Sequence, residues 1–121
     1  MIKELILKLS SIIAQITSNG FIDLRGENYE IYKNACKNVC YRLLTCENNE
    51  IMNEQEEEAL FDFLKLSEMY SAPIRTKKLI DGLKMRYNRL KCNISVNAPQ
   101  VIIDNEKLII FRVLDEIISL I

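Results

Sequence analysis

The reading of the fold turns on Leu108-Ile109-Ile110-Phe111-Arg112-Val113-Leu114-Asp115-Glu116-Ile117-Ile118-Ser119-Leu120-Ile121. Its polar residues are Arg112, Asp115, Glu116 and Ser119, and their i, i+3, i+4, i+7 spacing is one stripe of an α-helix. Every other position is apolar. A surface helix shows the opposite balance, an apolar stripe on a polar rod. The segment from Asp104 to Ile121 is therefore expected to be a helix covered on most of its circumference. Either the rest of the chain covers it, at the centre of a bundle, or a second chain does.

Outward from this segment, the next apolar pattern of similar strength lies at the other end of the sequence. Ile2, Leu5, Ile6, Leu9, Ile12, Ile13 and Ile16 predict a helix to about Ser18. Asn19-Gly20 ends it, because both residues tolerate a left-handed C-cap. The first and last helices either bury one another or meet in an isologous homodimer. Phe21 to Leu24 reads as an apolar connector and Arg25-Gly26 as a turn.

A second helix is expected from about Glu27 to Thr45, with Tyr32, Ala35, Cys36, Val39, Cys40 and Leu43 on its apolar stripe. Cys46 to Met52 reads as a polar surface loop. Asn53 stands three residues before Glu56, the spacing of a capping box. Glu56, Glu57 and Glu58 then lie in a first turn, where the helix dipole favours negative charge. This third helix is expected to reach about Tyr70, burying Leu60, Phe61, Phe63 or Leu64, and Met69. Ser71-Ala72-Pro73 breaks it and starts a fourth, to about Lys91, on Leu79, Ile80, Leu83, Tyr87 and Leu90. Gly82 lies inside that helix at a cost of about 1 kcal/mol against Ala, and its suggested use is close approach of a neighbouring helix.

Residues 94–103 admit two readings. Ile94 to Val96 and Val101 to Ile103 fit a short β-hairpin around a loop from Asn97 to Gln100. Alternatively Asn97 caps a longer last helix with Pro99 in its first turn, the helix then starting between Ala98 and Asn105. The loop-plus-helix reading is preferred. The expected architecture is an all-α compact bundle of about five helices, one domain over residues 1–121, with the second to fourth helices packed around the first and last.

The net charge is −1, so no global field draws the chain to nucleic acid or anionic lipid. No apolar run approaches the roughly 18–20 residues of a membrane span, and the acid in Met1-Ile2-Lys3-Glu4-Leu5 does not suit a secretory signal. A cytoplasmic location is expected. Ile and Asn are abundant and Trp and His absent, the residue usage of an AT-rich genome such as that of a phage, a low-GC bacterium, a large DNA virus or a protozoan, and a viral, phage or mobile-element accessory protein is the expected source.

Catalysis has little to work with. The sequence has no histidine, the commonest general base and the partner of most nucleophilic serines and cysteines. Gly20, Gly26 and Gly82 are isolated and form no phosphate-binding loop. The cysteines are Cys36, Cys40, Cys46 and Cys92, with three, five and forty-five residues between them, where a structural zinc site takes tighter pairs and commonly histidine. They read as small buried hydrophobes. No enzyme, metal or cofactor is expected.

Charge is segregated between neighbouring helices. Glu47 to Asp62 holds seven acids and no base, and Arg75 to Lys91 holds seven bases and one acid, Asp81. Lys77, Lys84, Arg86, Arg89 and Lys91 are the candidates for a basic surface toward phosphates or an acidic partner. A nucleic-acid-binding regulator would use helix 73–91 as the reader in a helix-turn-helix or winged-helix-like order. Around the helical wheel, however, these bases flank the apolar stripe on both sides. That arrangement suits side chains snorkelling at a core boundary.

Met52-Asn53-Glu54-Gln55-Glu56-Glu57-Glu58-Ala59-Leu60-Phe61-Asp62-Phe63-Leu64 resembles a late helix of the bacteriocin immunity proteins. The resemblance is carried by a capping box followed by apolar spacing, and it implies an immunity-type helical bundle acting by protein contact. The expected function is a protein–protein interaction module: a regulator, inhibitor or adaptor. Its contact surface is expected on the last helix, at Phe111, Leu114, Ile118 and Ile121, toward a protein partner or a second copy.

Overall fold

The apolar stripes become five α-helices among the residues described by the computed structural model, which are 2–19, 28–65 and 73–120. They are α1 (Ile2–Asn19), α2 (Asn28–Leu44), α3 (Glu54–Leu64), α4 (Pro73–Ser95) and α5 (Gln100–Ser119). A single 3₁₀ turn, Glu47–Asn49, lies between α2 and α3. No β-strand occurs among the described residues. The connector at Phe21 to Gly26, Met69 and the break at Ser71-Ala72 lie outside them, as do the side chains of Ile12, Ile13, Ile16 and Tyr32.

The capping box forms as its spacing requires. Glu56 N–H donates to Asn53 Oδ1 at 2.8 Å, and Asn53 N–H donates to Glu56 Oε1 at 2.8 Å. Two of the four N–H groups that a helix start leaves unpaired are thereby satisfied. The large apolar residues after it, Leu60, Phe61, Phe63 and Leu64, are buried.

α5 packs between α2 and α4, and α1 packs on α2 and α3. The pairs Lys37–Asp115 and Tyr41–Phe111 step in opposite senses, so α2 and α5 are antiparallel. Arg75–Glu116 and Arg86–Glu106 show the same for α4 and α5. The core is built from Leu5 and Leu9 of α1, Cys36, Val39, Cys40, Leu43 and Leu44 of α2, and the α3 quartet. Ile80, Leu83, Tyr87 and Leu90 of α4 and Ile110, Leu114, Ile117 and Ile118 of α5 complete it.

Of the two readings of residues 94–103 the preferred one holds: no hairpin forms, and α5 starts at Gln100, inside the expected Ala98–Asn105 window. Four expectations need correction. α4 runs on to Ser95 because Asn97 takes a left-handed conformation, φ 52°, and closes a Schellman turn. Ala98 N–H donates to Asn93 O at 2.9 Å and Asn97 N–H to Ile94 O at 3.2 Å. Asn97 thus ends α4 and does not start α5. Pro99 holds the N-cap position of α5, and its carbonyl accepts from Ile102 N–H at 3.0 Å.

The segment from Cys46 to Met52 is not wholly a surface loop. Cys46 and Met52 are buried and pin both its ends to the core. Gly82 serves no close approach, since a Cβ there would meet nothing within 4 Å. Finally, α5 is not wrapped on most of its circumference. Its stripe from Ile110 to Ile118 is covered by α2 and α4, while Val101, Ile102, Leu108 and Phe111 are exposed.

Open space at a mid-helix glycine predicts a gain on filling it. Gly82→Ala is expected to raise the melting temperature by about 3–5 °C, from its helix propensity alone. Calorimetry checks this, and a fall in melting temperature would show that α4 needs the glycine.

Candidate functional site

The basic residues of α4 divide between two neighbours. Lys91 Nζ lies 2.6 Å from Glu57 Oε1 on α3 and 4.7 Å from the Tyr87 ring centroid. Lys84 Nζ lies 5.2 Å from the ring centroid of Phe61 on α3. On the opposite flank, Arg86 reaches Glu106 of α5 at 3.8 Å and Arg75 pairs with Glu116. Lys77 and Arg89 are exposed. Of the run of acids before α4, Glu57 meets a base of α4, Lys91, while Arg75 and Arg86 turn to acids of α5. Only part of the expected basic surface faces outward.

The four expected contact residues of α5 separate likewise. Leu114 and Ile118 are 0% and 4% exposed and belong to the core, which removes them from any contact surface of the folded chain. Ile121 lies outside the described residues. Phe111 is 38% exposed and remains. The helix turns about 100° per residue, which puts Phe111 on the arc that α2 leaves half covered.

At that arc a groove of about 690 Å³ opens between α2 and α5. Asn34, Lys37, Asn38, Tyr41, Arg42, Thr45 and Glu47 line it from α2 and the turn after it, and Lys107 and Phe111 from α5. The Phe111 and Tyr41 rings meet edge-to-face, centroids 5.5 Å apart, a favoured aromatic geometry. Lys37 sits over the Phe111 ring at 4.7 Å and also pairs with Asp115. Arg42 Nε donates to Glu47 Oε2 at 2.5 Å, and this bond holds the Glu47 carboxyl below its ordinary range. A second depression continues along α5 over Tyr41, Asp104, Lys107, Leu108 and Phe111.

Most of the α2 wall was not among the residues singled out from the sequence. Tyr41 and the two asparagines stand off the apolar stripe of α2, where a polar or aromatic residue reads as ordinary surface. Leu108 lies inside the segment that decides the fold, whose apolar positions call for cover on most of the circumference. Its place near the arc of Asp115 and Ser119 was the available signal.

The deepest ionisable groups lie elsewhere. Burial pushes the Cys36 thiol up to about 12 and raises Cys40 further. Cys46 is raised by burial too, against the pull of Tyr87, Lys107 and Lys91. The buried Tyr87 hydroxyl, raised by the same cause, approaches Cys46 and the Met52 backbone without completing a hydrogen bond of ordinary geometry. Among the described residues, no three His, Cys, Asp or Glu side chains gather as metal ligands, and no helix is long and apolar enough to cross a membrane.

No protein family, curated protein or solved structure matches the chain.

These thiols give two measurable consequences. Native protein at pH 8 is expected to react with a thiol reagent at Cys92 alone, and at all four cysteines once unfolded. Fast native labelling of more than one site would contradict the burial. Stability is also expected to fall as pH rises above 9.0, the ordinary thiol value, toward about 12. In that window an unfolded chain releases the Cys36 proton and the folded chain keeps it, so the unfolded state binds fewer protons. Removing Cys36 by mutation to Ala should flatten the denaturation-derived slope by up to about 1.4 kcal/mol per pH unit.

Proposed function

We propose that the protein is a non-catalytic protein–protein interaction module of the cell interior, a regulator, inhibitor or adaptor that works by contact, and that the α2–α5 groove is its contact surface. The observation that carries this reading is Phe111, a ring 38% exposed and stacked edge-to-face on Tyr41 in the wall of a groove of about 690 Å³. Aromatic side chains held rigidly at the centre of a concave patch are the usual anchors of protein interfaces. Leu108, at 48% exposure, extends the apolar surface by one turn.

The internal ion pairs of α4 support this reading over a nucleic-acid reader. A reading helix keeps its cations free for phosphates and base edges. Here Lys91 and Arg75 are paired with acids of α3 and α5, and Arg86 leans on Glu106. The immunity-type alternative belongs to the same contact class. The viral, phage or mobile-element origin suggested by residue usage is compatible with it.

The test is site-directed. A photoreactive side chain replacing Leu108 is expected to trap a discrete protein adduct in cells, and the same label replacing Lys78 on α4 to trap none. Adding Phe111→Ala should remove the adduct while leaving the fold cooperative. Leu114→Ala, by contrast, should cost about 2–5 kcal/mol of stability, as a buried leucine truncation does. Equal trapping at both labels, or none at the Leu108 position, would remove the groove as the contact surface.

A further inference from the structure

The two clefts of the bundle are left with charge of opposite sign. The cleft between α3 and α4, about 350 Å³, keeps an excess of acid: Lys91 crosses to Glu57, Lys84 lies against Phe61 and Lys65 is 3.7 Å from Asp62 along α3, while Glu54 and Glu58 make no ion pair with a described residue. In the α2–α5 groove, Lys37 is paired with Asp115 and Arg42 with Glu47. Asp104, which lines the second depression, accepts from Gln100 Nε2 at 2.8 Å. Lys107 remains. It is half-buried, lines both depressions, and makes no ion pair with a described residue. One helical turn along, at i+4 on the same face, stands Phe111.

We propose that the α2–α5 groove takes an acidic amphipathic helix of a partner protein, with a carboxylate on Lys107 and an aromatic or leucine side chain against Phe111 and Tyr41. This rests on the groove being the contact surface. The sign of the partner follows from the cation left over in a partly desolvated wall, where an unlike charge gains most and a like charge is rejected. The form of the partner follows from shape. The lined face of α5 from Asp104 to Phe111 is about 10 Å long at 1.5 Å per residue, roughly two turns of a second helix. Lys107 and Phe111 lie one turn apart, so the incoming carboxylate and anchor share an i, i+3 or i, i+4 spacing. The carboxamides of Asn34 and Asn38, both exposed, supply donors and acceptors for the polar edge of such a helix.

The most acidic segment of a second copy, α3, does not supply that helix, because it buries Leu60, Phe61, Phe63 and Leu64 in its own core. The exposed acids Glu54, Glu58 and Asp62 are left without an apolar anchor beside them.

The experiment pans a displayed library of random helical peptides against the full chain and measures the enriched peptides by fluorescence anisotropy. Enrichment of Asp or Glu one turn from Phe, Trp or Leu is expected. Phe111→Ala and Lys107→Glu should each weaken binding by at least about tenfold. A peptide with its acid changed to Lys should recover affinity for the Lys107→Glu protein, which a folding defect would not allow. Peptides that lose binding with Phe111→Ala but ignore Lys107→Glu would overturn the acidic chemistry and leave the groove standing. Enriched peptides indifferent to both changes, or no enrichment at all, would overturn the groove itself. A dimer in light scattering that Phe111→Ala dissociates would replace the partner helix with a second copy and overturn the assignment.

Discussion

Burial of one stripe of α5 is the constraint on which the rest depends. Ile110, Leu114, Ile117 and Ile118 are almost wholly removed from water, and a single neighbouring helix cannot cover four such residues. α2 takes one side of the stripe and α4 the other. Both must then run antiparallel to α5, one through the tight turn at Asn97 and the other through the returning chain. Each fully buried leucine or isoleucine is worth about 1.5–3 kcal/mol relative to exposure, so no other arrangement of these helices competes without an equal stripe to bury. The price is geometric. Two helices flanking a third leave its outer arc open, and the groove opens where α2 stops covering it.

How much of this was legible in the sequence depends on whether the determinant is local. The capping box at Asn53 and Glu56, the start of α4 at Pro73 and the apolar stripe of α3 depend on spacings of a few residues, and they were readable. The end of α4 was not, because Asn97 has two local uses, an N-cap or a left-handed C′ residue. Packing of Ile94 against the core selects the second. Burial of Cys46 and Met52 was hidden by the polar residues between them. The outer arc of α5 was misjudged for a related reason: Val101, Leu108 and Phe111 are apolar, and apolarity predicts burial without saying how many helices are available to provide it. Of the expected contact residues among those described, Phe111 alone is partly exposed; Leu114 and Ile118 carry the same signal and are core.

The charge pattern shows how a sequence can suggest a surface that folding largely dismantles. Seven bases in α4 look like a stripe for phosphates only while the neighbours are ignored. The lysines at positions 84 and 91 lean toward α3, and the arginines at 75 and 86 toward α5. The exposed pair Arg75–Glu116 adds at most about 1 kcal/mol. The larger effect of these contacts is on specificity, since α4 meets unlike charge on both flanks in this order of helices and not in a reversed one.

The turn at Asn97 also sets the order of assembly. It brings α4 and α5 together across a handful of residues, so that hairpin closes at little cost in chain entropy. The α2–α5 contact joins Lys37 to Asp115, 78 residues apart, and Tyr41 to Phe111 over nearly as far. The groove is thus among the last surfaces to exist during folding, and it disappears with the first loosening of α2. A molecule bound there would meet only finished chains, and by binding them would hold α2 in place.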